Sequence, residues 1–426
     1  MYTGQILLQL IVILLAVQLF GYLSKWVGVQ WVIGEILAGL VLGPSLLGGI
    51  FPGVEALLFP TATLPMLQTL GDIGLILYMF SLGTRLDVQL MLRHSKQAAI
   101  VSACGILLPF ASGSILAYFL YPYFAGPRAA FVPFVLLMGT AMSITAFPVL
   151  ARLLAEKRML GTKVGMLALT CASVDDVVAW CLLAFVVATI HAHDFTSIFL
   201  IVGLTVAFIG VMLLVVRPLL KYAVQRVSSP HLLLAINMGV LLLASFSTNA
   251  IGIHPIFGAF LTGVIVPRKV RFVGQVRSLD QVNNLLFLPL FFVFSGLRTQ
   301  IGLIQGPALL GICALILGVA CLGKILGGAL PVAFSGESWH TAISLGVLMN
   351  TRGLVELIVL NIGYELGILS PTLFAMLVIM ALVTTMMASP LLPLLGYRTS
   401  LMPTETISEQ LDGAMALGVS GEGADE

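Results

Sequence analysis

Charge is scarce in this chain. Of its 426 residues only 9% are Asp, Glu, Lys or Arg, while 59% are hydrophobic. Soluble domains carry about 25% charged residues. One aqueous core cannot hide that much apolar surface, so a soluble fold is excluded and lipid is the solvent that accepts it. No strong charge of either sign is present: 20 basic against 18 acidic residues leave a net +2. That balance excludes the basic field that nucleic acid or another polyanion needs. Cysteine is sparse as well. Cys104, Cys171, Cys181, Cys313 and Cys321 lie at scattered positions in apolar runs, which gives neither a disulfide framework nor a metal cluster. A nucleotide-binding loop, a nucleophile triad and a metal-ligand motif are all missing from the sequence. The chain is therefore not expected to be an enzyme or to need a cofactor. No separate secretory signal precedes the first apolar run, which is long enough to span and is followed at once by another.

What is present is a series of apolar runs of about 20 residues, the length that crosses a bilayer. Gly, Pro and charge clusters divide them. They predict an all-α membrane protein with thirteen spans, at 5–24, 29–49, 67–84, 97–121, 130–154, 163–190, 197–216, 232–250, 255–267, 284–303, 306–333, 340–363 and 371–396. Loop charge tests this alternation. With the N-terminus outside, the cytoplasmic connections hold Lys25, Arg85, Arg93, Lys96, Arg152, Lys157, Arg158, Lys163, Arg217, Lys221, Arg226, Arg268, Lys269, Arg271, Arg277 and Arg398. The outer connections hold only Arg128 and Arg298. Such a bias is what the positive-inside rule requires. Residues 1–400 are thus expected to form the membrane domain. The cytoplasmic tail, 401–426, is polar and expected to be disordered.

Short segments repeat at a spacing of seven helices. Met79-Phe80-Ser81-Leu82-Gly83-Thr84-Arg85 of the third span is matched by Val293-Phe294-Ser295-Gly296-Leu297-Arg298-Thr299 of the tenth. Ala38-Gly39-Leu40-Val41-Leu42-Gly43-Pro44 of the second is matched by Thr262-Gly263-Val264-Ile265-Val266-Pro267 of the ninth. An odd spacing gives the partners opposite senses across the membrane, the pattern of an inverted-topology repeat. The same register pairs the fifth and twelfth spans, and both are polar in the middle. The fifth carries Gly139-Thr140-Ala141-Met142-Ser143-Ile144-Thr145 and then Pro148; the twelfth carries Asn350-Thr351-Arg352-Gly353. These predict two discontinuous helices, broken near 138–148 and 349–354. A broken helix is tolerated in a membrane where its freed backbone faces protein or a water-filled cavity.

Ionisable groups inside the bilayer are costly and usually functional. Asp175 and Asp176 lie about twelve residues into the sixth span, roughly 18 Å along a helix at 1.5 Å per residue. Adjacent residues project about 100° apart, so one carboxylate can meet a protein cation while its neighbour faces an ion path. A carboxylate that holds either a proton or a small cation is the minimal competitive exchanger. Lys324, in Cys321-Leu322-Gly323-Lys324-Ile325-Leu326-Gly327-Gly328, is the expected partner of Asp175. Arg352 and Glu356, at i and i+4, read as a local pair that holds the broken twelfth helix. Glu35 and Asp72 lie nearer helix ends and read as structural. His254, before Pro255, reads as a helix cap.

Several of these segments also resemble a known family. Ser143-Ile144-Thr145-Ala146-Phe147-Pro148-Val149-Leu150-Ala151-Arg152, the Asp175-Asp176 pair, Gly252-Ile253-His254, Phe257-Gly258-Ala259-Phe260 and Met349-Asn350-Thr351-Arg352-Gly353-Leu354-Val355-Glu356 resemble the monovalent cation:proton antiporter-2 family. The likeness is to its plant cation/proton exchanger branch and bacterial relatives, over roughly residues 5–396. It implies a core (transport) domain beside a dimerisation domain, a homodimer in a bacterial inner or plasma membrane, and two unwound helices crossing beside the aspartates. It implies that Asp176 binds the cation and the proton, with Asp175 sharing the alkali cation and Lys324 pairing with Asp175. Thr140, Ser143 and Thr145 become candidate ligands, with Asn350, Arg352 and Glu356 in auxiliary roles. Arg352 stands where many plant members have Lys. The expected function is electrogenic exchange of Na⁺ or K⁺ for H⁺. On the residues alone, a sodium-coupled symporter of an organic anion and a cation channel stay open, although no channel filter is recognisable.

Overall fold

The computed structural model describes residues 2–27, 29, 31–85, 96–157, 159–160, 162–191, 195–227, 229–267 and 279–395. The tail 401–426, and with it the expectation of disorder there, lies outside the described residues. Helices come in the order α1 (Tyr2–Trp26), α2 (Trp31–Leu42), α3 (Leu47–Ile50), α4 (Pro52–Leu58) and α5 (Leu64–Arg85), then α6 (Lys96–Phe124), α7 (Phe131–Ser143), α8 (Phe147–Glu156) and α9 (Lys163–His191). Next are α10 (Phe195–Val211), α11 (Arg217–Arg226), α12 (Pro230–Ile251), α13 (Ile256–Ile265) and α14 (Leu288–Arg298). The last are α15 (Gly306–Phe334), α16 (Trp339–Met349), α17 (Leu354–Glu365) and α18 (Pro371–Leu394). Among the described residues, β structure is limited to an isolated bridge between Ala125 and Leu369.

Ten helices among the described residues are long and apolar enough to cross a bilayer. The fifth, ninth and twelfth expected spans correspond to the shorter apolar helices α7, α13 and α16, so helix length alone does not reach thirteen crossings. For α7 and α16 the cause is visible: the chain leaves the helix at 144–146 and 350–353, then resumes as α8 and α17. Other edges shift too. The seventh span does not end at 216; it passes through a π turn, Met212–Val216, and continues as α11. Arg217, Lys221 and Arg226 therefore sit on a helix rather than in a loop. A second π turn, Asn283–Phe287, precedes α14. Helix α4, which starts at Pro52, was not expected.

The chain divides into two compact units. The first takes residues Met1–Val27, Trp31–Leu86 and Trp180–Gln300. Its core gathers Ile13, Val17, Ala38, Phe59, Leu67, Leu290 and Val293. Two close helix crossings organise it, and they are built from the repeated segments. Where α2 crosses α14, a Cβ on Gly39 would strike Val293 O, and one on Gly296 would strike Ile36 O. Where α5 crosses α13, a Cβ on Gly83 would strike Phe260 O, and one on Gly263 would strike Phe80 O. In all four cases the carbonyl struck lies three residues before the opposing glycine. The second-with-tenth crossing is thus the repeat image of the ninth-with-third. Such crossings need residues without side chains because only then do the backbones approach this closely.

The second unit takes Gly28–Gln30, Asp87–Ala179 and Ile301–Glu426. Its core includes Ala98, Leu150, Leu154, Cys171, Leu345 and Leu392. Both broken helices and both aspartates lie in it.

Gly39→Ala and Gly263→Ala are expected to destabilise the solubilised protein by about 1–3 kcal/mol each, since a backbone carbonyl cannot rotate away from the new Cβ. Gly203, which has nothing within 4 Å of a would-be Cβ, is the control. Thermal unfolding followed by size-exclusion chromatography in detergent checks this; equal melting of Gly39→Ala and Gly203→Ala would refute it.

Candidate functional site

The site begins with two interruptions. Pro148 has no N–H to donate to Ile144 O four residues earlier, so the helical hydrogen-bond ladder cannot run through it. The chain accordingly turns extended at Ile144, with φ −71 and ψ 136. In the twelfth span, Asn350 leaves the helix and Gly353 is extended, at φ 165. Each break frees backbone groups that a membrane interior cannot hydrate. They satisfy one another. Ala146 N donates to Thr351 O at 3.0 Å. Thr145 Oγ1 reaches Met349 O at 3.2 Å.

Arg352 completes the junction. Its guanidinium is fully buried. Nη1 donates to Ala141 O at 2.7 Å and Nη2 to Met142 O at 2.8 Å. These are carbonyls of the last turn of α7, orphaned where the helix stops. Nη1 also meets Glu356 Oε1 at 3.2 Å. The expected i, i+4 pair is present, and the arginine does more than hold its own helix: it caps the other one.

Asp175 and Asp176 project from the middle of α9 into different surroundings. Asp175 is fully engaged. Ser102 Oγ donates to Oδ1 at 2.6 Å, and Thr145 Oγ1 donates to Oδ2 at 2.7 Å. Lys324 Nζ lies 3.2 Å from Oδ2, both side chains being wholly buried. Lys324 also donates to Gly105 O, at 2.8 Å, and to Ser143 O. A buried ammonium with three acceptors around it is fully partnered, which excludes snorkelling to an interface. Asp176 is equally buried but sparsely held. The Phe147 amide is its backbone donor, and Oδ1 has no hydrogen-bond partner.

The remaining expected residues are placed as follows. Thr140 Oγ1 bonds back to Leu136 O at 2.7 Å and Ser143 Oγ to Thr140 O at 2.9 Å; both hydroxyl protons stay within α7. Asn350 Nδ2 lies 3.6 Å from Cys321 Sγ, and its Oδ1 has no partner. Glu35 and Asp72 belong to the first unit, apart from this cluster in the chain's division. His254 does not cap a helix with its side chain: α13 has Pro255 at its N-cap without a side-chain bond, and Nδ1 of His254 is unpartnered. Its backbone carbonyl instead takes Phe257 N at 3.2 Å. Ser102 was missed by the sequence reading, because a lone serine in an apolar span is usually bonded back to its own helix.

A family profile described as sodium/hydrogen exchanger, transmembrane, matches residues 11–395. The chain belongs to the sodium/hydrogen exchanger family. It is 41% identical over 393 residues to the Na(+)/H(+) antiporter NhaS4 of Synechocystis, an alignment covering 91% of this chain and 96% of that protein. It is 40% identical over 393 residues to Cation/H(+) antiporter 17 of Arabidopsis thaliana, covering 91% of this chain and 48% of that one. With K(+)/H(+) antiporter 1 of Saccharomyces cerevisiae it shares 31% over 413 residues, 93% of this chain and 47% of the yeast protein. The chain thus spans about half the length of these plant and yeast relatives. Its fold is that of the sodium proton antiporter MjNhaP1 from Methanocaldococcus jannaschii, with a TM-score of 0.64 at 17% identity, over 98% of this chain and 100% of that one. The named relatives are antiporters, and none lends support to the organic-anion symporter reading. A family member of this kind is a multi-pass integral membrane protein.

Ser102→Ala removes one of three donors to a buried charge. Such hydrogen bonds contribute roughly 1.5–3 kcal/mol, and thermal unfolding of the purified variant is expected to show a loss of that order. An unchanged melting temperature would mean that Ser102 contributes nothing to holding Asp175.

Proposed function

We propose that this chain is a secondary active transporter that exchanges Na⁺ or K⁺ for protons, with Asp176 as the shared carrier. The contrast between the two aspartates supports this most directly. Asp175 has three side-chain partners, whereas Asp176 keeps a buried oxygen without any. An isolated buried carboxylate is costly unless something offsets its charge. A proton does so covalently and a small cation does so by coordination, but one group cannot accept both at once. Competition at one carboxylate couples the two fluxes.

The proposed cycle uses Asp175 and Lys324 as a separable pair. A cation shared between Asp176 and Asp175 would neutralise the charge that holds Lys324. The lysine would then rest on Gly105 O and Ser143 O and release its own proton more readily. Two protons leaving per cation bound makes exchange electrogenic. Thr140, Ser143, Thr145 and Asn350 stand in or beside the breaks and offer oxygens to a partly dehydrated ion. The inverted repeat gives the protein two related conformations, which is what alternating access requires. Homodimeric assembly in a plasma membrane, with the N-terminus outside and the C-terminus in the cytoplasm, belongs to the same reading. Na⁺ and K⁺ are both carried forward, since the relatives' names include both.

In proteoliposomes, Asp176→Asn is expected to reduce cation-driven ΔpH dissipation at least 100-fold, to the level of empty vesicles; substantial exchange by the variant would remove Asp176 from this role. Lys324→Ala is expected to retain exchange with an altered pH profile, because the proton held at the pair is lost. A profile unchanged from wild type between pH 6 and 9 would reduce Lys324 to a structural residue. A cation gradient is further expected to drive net current, and silent vesicles would exclude electrogenic exchange.

A further inference from the structure

The seven-helix register that pairs the repeats extends to the aspartates themselves. It pairs the sixth span, which carries Asp175-Asp176, with the thirteenth, which carries Thr384-Thr385. The second residue of each pair performs the same backbone task on one of the two breaks. Asp176 receives the amide of Phe147, the residue after the first break. Thr385 receives the amide of Arg352, inside the second break, at 3.1 Å. Thr385 goes further: its Oγ1 also lies 2.8 Å from Arg352 O and 2.7 Å from Ala381 O. Both polar groups of one unwound residue thus rest on a single hydroxyl, and that side chain is 6% exposed.

The bland explanation of an intramembrane threonine is a bond back to its own helix. Thr384 fits it, with Oγ1 on Met380 O at 2.8 Å and Ala381 O at 3.1 Å. Thr385 makes that bond too, to Ala381 O, but its hydroxyl is also shared with Arg352 O and accepts from Arg352 N, so it reaches across to another helix as well. What it holds is connected to the site in short steps. Fixing the Arg352 backbone fixes the origin of a guanidinium aimed at Ala141 O and Met142 O. The next carbonyl, Ser143 O, takes Lys324, and Lys324 takes Asp175. Each link is a hydrogen bond or ion pair between buried groups.

We propose that Thr385 is a positioning residue for exchange: its hydroxyl clamps the unwound backbone at Arg352 and, through Arg352, sets the α7 carbonyls that Lys324 and the cation share. The proposal rests on the antiport reading given above. It places Thr385 alone of the two threonines in the transport machinery, as a support, while the charged pair carries the ion.

The test uses the full chain, purified and reconstituted, with ΔpH dissipation driven by Na⁺ or K⁺ at several pH values and rates normalised to folded protein. Thr385→Val keeps the shape and removes the hydroxyl. It is expected to raise the apparent KM for the cation about tenfold, the factor that loss of one buried hydrogen bond produces. Its maximal rate should stay within about twofold and its pH optimum should move. Thr385→Ser should restore wild-type behaviour, and Thr384→Val should match wild type. An unchanged KM and pH profile in Thr385→Val, failure of the serine to rescue, or an equal effect of Thr384→Val would each overturn the proposal. If Thr385→Val does not fold, Thr385→Ala carries the same expectation. If neither folds while the serine does, the hydroxyl is a folding element and the proposal fails. Wild-type vesicles that dissipate no pH gradient would overturn the antiport reading itself, an outcome separate from an active wild type with an indifferent Thr385.

Discussion

Arg352 carries a full charge to the meeting point of two interrupted helices, and the site is organised around it. A break in a membrane helix leaves carbonyls that no water reaches. A neutral donor could satisfy one of them. A guanidinium offers five N–H groups in a fixed planar fork, and Arg352 uses that fork on Ala141 O, Met142 O and Glu356 at once. Its charge is partnered locally by Glu356, at 3.2 Å. Removing either member of such a buried pair is far more damaging than replacing both. A lysine at this position would present one ammonium point rather than a fork and could not reproduce the geometry.

With that junction in place, the neighbouring aspartates acquire unlike surroundings. Helix geometry alone turns them about 100° apart, and the breaks supply what each direction meets. On one side are Ser102, Thr145 and Lys324, all donors, around Asp175. On the other is the start of α8, whose Phe147 amide faces Asp176. Two carboxylates in identical settings would compete for one proton. In unlike settings, one is held by its lysine and two hydroxyls while the other keeps a buried oxygen without a partner. This division follows from backbone architecture, since Thr145 lies in the first break and Phe147 starts the helix that follows it.

Symmetry also appears in the first unit, in a plainer form. Four glycines form two crossings in which each removes a side chain from the path of a carbonyl three residues before its opposite number. The two crossings are repeat images built from non-identical sequences, Phe-Ser-Leu-Gly in one half and Phe-Ser-Gly-Leu in the other. The glycine sits one position apart in the two segments, yet each crossing has one where the opposing carbonyl leaves no room for a Cβ. Close backbone approach is thus common to the two halves even where the residues around it differ.

That pattern explains which parts could be read in advance. Features imposed by a strong physical penalty were legible: long apolar helices from lipid, buried ionisable residues from desolvation, and breaks at Pro148 and at the polar stretch Asn350-Thr351-Arg352-Gly353. The Asp175–Lys324 contact followed because a midplane charge has few places to find an opposite one. Features set by tertiary contact were not. Ser102 and Thr385 look like any hydroxyl in an apolar helix; only the fold shows that Ser102 bonds to Asp175 and Thr385 to Arg352. His254 misled for the same reason, since Gly252-Ile253-His254-Pro255 carries a helix-start signature while Pro255 takes the cap position. Polar uncharged residues are cheap enough in a membrane to be placed without function, so their roles emerge only from whom they touch. Arg352 lies between these cases: its charge announced importance, its spacing to Glu356 announced a partner, and its reach to the α7 carbonyls required the second broken helix to be brought alongside.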